Sequence, residues 1–227
     1  MIDNKRIVAI IPARKGSKRL PKKNIIDFLG KPLIYWTINS ALQSKYIDRI
    51  IVSTDSDEII NLAKEYGVEA PFLRPSILSK DSVKSEEVIM HTLDWLKENG
   101  KEIFEYFILL QPTSPFRKSF HIDESLKKII QNKKKVDNLV SISEKIFREI
   151  KEKKIIDKED FLPINFDNKS LKVANGAIYI SRINIFKSNQ SFYSSNSLIY
   201  KMDKNSSIDI DTLNDLNHAK KIHENDL

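Results

Sequence analysis

Two hydrophobic rhythms alternate along this chain. Residues Ile7 to Ile11 form an unbroken apolar run, the pattern of a strand covered on both faces. The next stretch, PLIYWTINSALQS at 32–44, repeats its apolar positions at helical spacing. It opens on a proline, which the first turn of a helix tolerates. A second buried strand, RIIVSTD, follows at 49–55. DEIINLAKEYG at 57–67 then reads as a helix with Ser56 and Asp57 at its start and Gly67 at its stop. A short strand is expected over 68–73 and a polar loop, RPSILSKDSVKS, after it. In SEEVIMHTLDWLKENG, Val88, Ile89, Leu93 and Leu96 trace one helix face and Gly100 ends it. The strand YFILLQ, a helix around 122–131 and the strand NLVSIS continue the series. Strands alternating with helices predict an α/β fold, a Rossmann-like and mostly parallel sheet covered by helices on both faces.

The rhythm breaks from about Glu144 to Ser170, where EKIFREIKEKKIIDKEDF predicts small antiparallel strands or an excursion from the main sheet. GAIYIS and SLIYKM restore the strand pattern, and TLNDLNHAKKIHEN closes the chain as a helix. No internal repeat, long linker or low-complexity segment interrupts it, so a single domain over 1–227 is expected.

Composition narrows the class of protein. With 41% hydrophobic and 30% charged residues in 227, the chain has the balance of an ordinary globular protein. It has no cysteine, which excludes disulfides and thiolate metal sites and fits a reducing compartment. The apolar run at Ile7–Ile11 is too short for a signal core or a membrane span. A cytoplasmic location without membrane contact is expected. The formal charge of +7 raises the question of a nucleic-acid partner. Lysine is spread along the chain, however, as in Lys127-Lys128 and Lys220-Lys221, and aromatic residues are not interleaved with it. No nucleic-acid partner is expected.

Positive charge does concentrate at IPARKGSKRLPKKN, residues 11–24, directly after the first strand. Ligands of doubly wound sheets bind beyond the carboxyl ends of the strands. Gly16 permits close backbone approach or positive φ, Ser17 offers a hydroxyl, and the cations suit a triphosphate. Neither GxxxxGK[ST] nor GxGxxG is present, so the loop alone leaves phosphate binding, a solvated loop and nucleic-acid contact open. Near the other end, SIDID carries Asp209 and Asp211 one residue apart. If extended, both carboxylates project to one face, with Ile208 and Ile210 on the other. Two such donors suit Mg²⁺, which takes one or two carboxylates together with substrate phosphate oxygens.

IIPARKGSKRLPKKNI, GKPLIYWTI, RIIVSTDSDEI, LRPSILSKD, LLQPTSPFR, NGAIYI and SIDIDT follow in this order. Together, from Ile7 to about Asp215, they resemble the acylneuraminate cytidylyltransferases, the CMP-sialic acid and CMP-nonulosonate synthetases. The CMP-Kdo synthetases share the opening PAR but are less similar. The resemblance implies a nucleotide-diphospho-sugar transferase-like fold and transfer of CMP from CTP to the anomeric hydroxyl of a nonulosonic acid, with release of pyrophosphate. It further implies Mg²⁺, and a homodimer built on a dimerisation and sugar-binding excursion at about 144–195. A CMP-Kdo synthetase, or a non-catalytic nucleotide- or RNA-binding protein, is the alternative.

By the same resemblance, Arg14, Gly16, Ser17, Lys23 and Asn24 fall on the phosphate- and nucleotide-binding loop. Lys23 is the preferred catalytic cation and Arg14 the second. Arg74 and Ser85 fall at cytidine-recognition positions; alone, they read as a surface arginine before proline and a helix cap. Gln111, Asn175 and Tyr179 fall around the sugar, while Lys151, Phe192 and Tyr193 match positions that a partner subunit contributes there. Asp209 and Asp211 match the metal ligands, Asp211 counting also among the catalytic residues. The chain departs from its relatives where they carry an Arg-Gln pair beside the sugar: here Asn165-Phe166 stands, so that contact is either missing or replaced by Lys169 or Lys172. The four histidines form no nucleophilic arrangement with serine.

Overall fold

A computed structural model of the chain describes residues 1–100, 102–133, 135–149 and 167–225. Its strands are β1 (Ile7–Pro12), β2 (Asp27–Phe28), β3 (Lys31–Pro32), β4 (Arg49–Ser53), β5 (Tyr106–Leu109), β6 (Asn138–Glu149), β7 (Asp167–Arg182) and β8 (Ser197–Lys201). Its α-helices are α1 (Leu33–Leu42), α2 (Asp57–Glu65), α3 (Ser85–Asn99), α4 (Ser119–Gln131), α5 (Ile183–Asn189) and α6 (Leu213–Asn225). Six strands form one sheet in the order β4-β1-β5-β7-β6-β8, and β2 with β3 makes a small separate hairpin. β1 pairs in parallel with β4 and β5, and β8 with β6, whereas β7 is antiparallel to both β5 and β6. One strand therefore runs against five, and the mostly parallel sheet expected from the sequence is present.

The unbroken apolar run of β1 has a direct cause. Ile7, Ala9 and Ile11 pack on one face with Ile34, Ile38, Ile59, Ile122 and Leu126 of α1, α2 and α4. Val8 and Ile10 pack on the other with Ile89, Leu93 and Leu96 of α3 and Phe186 of α5. Because successive side chains of a strand alternate between faces, a strand roofed on both sides has no polar positions. A fully buried side chain of this size contributes about 1.5–3 kcal/mol. A third cluster joins α6 to the hairpin region through Leu20, Phe28, Leu33, Ile210 and Leu216.

Two local expectations are modified. The strand expected over 68–73 reduces to isolated bridges, Glu69 to Ile51 and Leu73 to Thr54. Pro71 stands in the middle of this stretch and has no N–H to donate to a ladder. The helix α5 lies where the sequence pattern gave no signal: seven residues are too few for a periodicity to stand out.

The break in rhythm is a ribbon. β6 and β7 stay paired out to Glu149 and Asp167, while β5 borders β7 only at 179–182 and β8 borders β6 only at 138–142. Among the described residues, 143–149 and 167–173 therefore form two strands with no third strand beside them. At the ribbon's base the register shifts between Val140 and Ile142, and the bulge is filled by Asn175, Gly176 and Ala177.

Candidate functional site

The loops that follow β1 and β5, the segment from Arg74 to Ser85, and the SIDID stretch line one cleft of about 260 Å³. After β1 the chain is tied down by Ala13 N–H donating to Ser53 O at 2.9 Å and Lys15 N–H donating to Asp55 at 2.7 Å. Lys22 takes a left-handed φ of 55° and Lys23–Ile25 forms a single 3₁₀ turn. Asn24, 6% exposed, donates from Nδ2 to the Arg14 carbonyl at 2.8 Å and so closes the loop on itself. Its turn-forming role is thus realised, and it lines the cleft as well.

Gly16 also lines the cleft. A side chain there would meet nothing within 4 Å and its φ is not positive, so of the two uses read from the sequence only close approach remains. Ser17 sits on the same loop, half-buried, but is not part of the wall.

The acidic couple faces this loop. SIDID is irregular rather than a strand, yet it alternates as an extended segment does. Ile208 and Ile210 pack into the third cluster, and the Ile210 N–H donates to Thr113 O at 2.8 Å. Asp209 and Asp211 line the cleft. Lys23 Nζ donates to Asp211 Oδ1 at 2.6 Å, and Arg19 donates to Asp211 Oδ2. The Asp209 carboxylate is open to solvent by surface area but lies deep in the concavity. Desolvation raises its pKa, assisted by the Asp211 charge and opposed by a hydrogen bond from Thr113.

A second ion-pair group stands across the opening. Asp81, on the loop before α3, bonds Lys18 Nζ at 2.9 Å and the Arg14 guanidinium; these two contacts hold its carboxyl below its ordinary range. The loop cations thus have two carboxylates among them, and an incoming polyanion competes with Asp81 for Arg14 and Lys18. Sequence reading passed over Asp81, though it ends the quoted LRPSILSKD.

Arg74 is 3% exposed, so it is no surface arginine. Its Nε donates to Ser79 at 3.1 Å and its Nη2 lies 3.8 Å from Asp55; burial lowers its pKa while Asp55 opposes the fall. Ser85 is the first residue of α3 and does not cap it. The Glu87 carboxylate accepts the Lys84 N–H at 3.0 Å instead, and Ser85 lies on the cleft wall beside Arg74.

Gln111 follows β5 and lines the far side of the cleft. Its main-chain carbonyl accepts from Arg117 Nη1 at 3.1 Å and from Thr37 Oγ1 at 3.2 Å. Arg117 is 1% exposed, has no carboxylate partner among the described residues, and also donates to Ala177 O at 2.9 Å and Thr37 Oγ1 at 2.7 Å. Burial pushes its guanidinium down to about 9. Asn175, 8% exposed, is occupied by the fold: its Oδ1 accepts from Ser141 Oγ and Ala177 N–H, and its Nδ2 donates to Ser207 Oγ at 2.9 Å. It is not on the cleft wall. Tyr179 forms an aromatic group with Phe192 and Tyr193 at centroid distances of 4.9 and 6.4 Å. Burial, then Tyr193 and the nearby Asp209 charge, raise the Tyr179 pKa. Phe192 is buried against Phe107 and Phe186, whereas Tyr193 is 55% exposed. Lys151, Asn165 and Phe166 lie outside the described residues, as does the side chain of Lys169. Lys172 is exposed on the ribbon opposite Glu144.

Among the described residues no three His, Cys, Asp or Glu groups cluster as a self-sufficient metal cage, and no helix is long and apolar enough to cross a membrane. Two cleft carboxylates fit a hard cation whose remaining ligands come from phosphate and water. A larger cavity, about 1000 Å³, opens at the opposite end of the sheet between Leu93, Phe104 and Arg182. None of the candidate site residues named from the sequence lines it.

Comparison with known proteins gives the family. Residues 8–227 match the family model described as Cytidylyltransferase. The chain is 37% identical over 226 residues to an N-acylneuraminate cytidylyltransferase of Escherichia coli O18:K1:H7, covering 96% of this chain and 52% of that protein. It thus spans about half the length of that relative. It is 38% identical over 227 residues to a CMP-N,N'-diacetyllegionaminic acid synthase of Legionella pneumophila, covering 96% of this chain and 97% of that one. A solved structure of a CMP:2-keto-3-deoxy-manno-octonic acid synthetase complexed with CTP shares the fold, with a TM-score of 0.71, 16% identity, and coverage of 98% and 100%.

Proposed function

This chain belongs to the cytidylyltransferase family, and from that premise we propose that it transfers CMP from CTP to the anomeric hydroxyl of a nonulosonic acid of the sialic or legionaminic kind, for surface glycan synthesis. The hydroxyl oxygen attacks the α-phosphorus and the bond to the β-phosphate oxygen breaks. Pyrophosphate leaves, and the hydroxyl proton passes to solvent.

The observation that carries the reading is the sharing of one cleft by the basic loop and the acidic couple, with Lys23 and Asp211 2.6 Å apart. Lys23, held in the 3₁₀ turn, meets the α-phosphate and stabilises charge that develops there. Arg14 and Lys18 exchange Asp81 for the β- and γ-phosphates, while Gly16 lets the backbone approach them. Ser17 adds a hydroxyl and Asn24 keeps the loop closed. Arg74 and Ser85 read the cytosine, the guanidinium donating to the ring carbonyl. Gln111 and the group around Tyr179 take the acceptor. Asp209 and Asp211 would hold Mg²⁺, which when bound would offset phosphate charge and lower the pKa of the attacking hydroxyl.

The ribbon of β6 and β7 supports a homodimer. A two-stranded ribbon is marginal in water by itself, and a second copy covers it. Of the residues that the resemblance assigns to that copy, the exposed Tyr193 reaches the acceptor end, whereas Phe192 stays packed in its own chain and Lys151 lies outside the described residues. CTP supply and the lack of cysteine favour the cytoplasm as the place of reaction.

The test is pyrophosphate release by the purified protein with CTP, Mg²⁺ and a panel of nonulosonic acids plus the eight-carbon Kdo. Product with a nine-carbon acid is expected. Folded protein inert across the panel, or active with Kdo alone, overturns the reading.

A further inference from the structure

Gln111 is held from two sides in a way that the proposed reaction does not itself require. From beneath, a buried network grips its main chain: Arg117 Nη1 and Thr37 Oγ1 both donate to its carbonyl, and Arg117 spans to Ala177 O on β7. The guanidinium is thus a brace between the end of β5 and the bulge in β7. From the side, Gly176 lies against the Gln111 amide. A Cβ at Gly176 would stand 3.1 Å from Gln111 Oε1, and the residue's φ is +78°. Together, the two residues fix both where the amide starts and how far it leans toward β7.

We propose that Arg117 and Gly176 are positioning residues for acceptor choice: the brace sets the Gln111 main chain, and the missing side chain at 176 leaves its amide free to read the sugar. This rests on the reading above that the Gln111 end of the cleft takes the acceptor. Among the described residues, no carboxylate pairs with Arg117. Its charge therefore serves neutral acceptors, and lysine, with a point charge in place of a fork, reproduces the brace only in part.

The experiment compares wild type with Gly176→Ala, Arg117→Met, Arg117→Lys and Thr37→Val, measuring KM for CTP, KM for the acceptor, kcat and melting temperature. Gly67→Ala is the control. Gly67 has the same positive φ, +77°, but a Cβ there meets nothing within 4 Å, so it carries the backbone strain without the contact. Gly176→Ala is expected to raise acceptor KM about tenfold or more while CTP KM stays within about twofold, because an amide displaced by tenths of an ångström loses an oriented hydrogen bond. Gly67→Ala lowers the melting temperature alone. Adding Gln111→Ala to Gly176→Ala produces no further loss, since both act on one contact. Arg117→Met shows the same split as Gly176→Ala, and Arg117→Lys recovers part of it. If Arg117→Met does not fold, Gly176→Ala and Thr37→Val carry the test. Equal rises in both KM values, a fall in kcat alone, or a Gly67→Ala as harmful to acceptor KM as Gly176→Ala overturns the inference. A wild-type protein that makes no product overturns the proposed function, and this inference with it.

Discussion

Lys23→Met tests the centre of the proposed chemistry. Four cations of the loop meet carboxylates, but their side-chain exposures differ: 17% for Lys23, 33% for Arg14, 66% for Arg19 and 84% for Lys18. A charge acts most strongly where water screens it least, which singles out Lys23. Methionine keeps much of the stem and removes the ammonium. Losing one fixed donor to transition-state charge costs roughly 2.7–4 kcal/mol, or about 10²–10³ in kcat. The structural cost is smaller. The lost partner of Asp211 is a partly exposed pair worth about 1 kcal/mol, which lowers the melting temperature by about 2–4 °C in a chain of this size. The assay is pyrophosphate release at saturating CTP and acceptor, with KM values measured in parallel and Lys18→Met as the contrast. Lys18→Met is expected to change kcat by less than about threefold, because its solvated charge is weakly coupled. If Lys23→Met loses no more kcat than Lys18→Met, or loses only CTP affinity, the placement of Lys23 at the reacting phosphate is wrong.

Three further outcomes are expected. Asp211→Asn and Asp209→Asn each raise the Mg²⁺ concentration for half-maximal turnover by about tenfold or more; unaltered metal dependence ends their role as ligands. Asp209→Asn also tests the raised carboxyl. Its ionised form is disfavoured in the folded chain, so stability present below the ordinary carboxylate range is lost as pH rises through the raised value. Without divalent metal the variant should therefore melt higher than wild type at neutral pH, with the gain vanishing toward about pH 3; a lower melting temperature at neutral pH contradicts the argument. Asn175→Ala takes the acceptor from the buried Ser141 hydroxyl and one donor from Ser207, which keeps its bond to the Asp203 carbonyl. It should cost about 1–3 kcal/mol of stability without a selective rise in acceptor KM, and such a selective rise at unchanged stability would return Asn175 to the sugar.

What the amino-acid order determined by itself was local. The run Ile7–Ile11 demanded a strand roofed on both faces, and the alternation in SIDID turned Asp209 and Asp211 away from Ile208 and Ile210 whether or not a strand formed there. The loop at residues 11–24 announced its charge for the same reason: periodicity, turn residues and charge are properties of neighbours in the chain. Tertiary structure decided everything that joins distant segments. Lys23 meets Asp211 across 188 residues and Arg117 braces Ala177 across 60. Asp81 reaches the first loop from beyond α2, and Asn175 spends its amide on Ser141 and Ser207 within a bulge. A polar side chain carries no mark of the partner it will find. Whether Arg74 is a surface cation or a buried one, and whether Asn175 reads a ligand or locks the sheet, depends on which elements close around it, and that is set only when the sheet assembles.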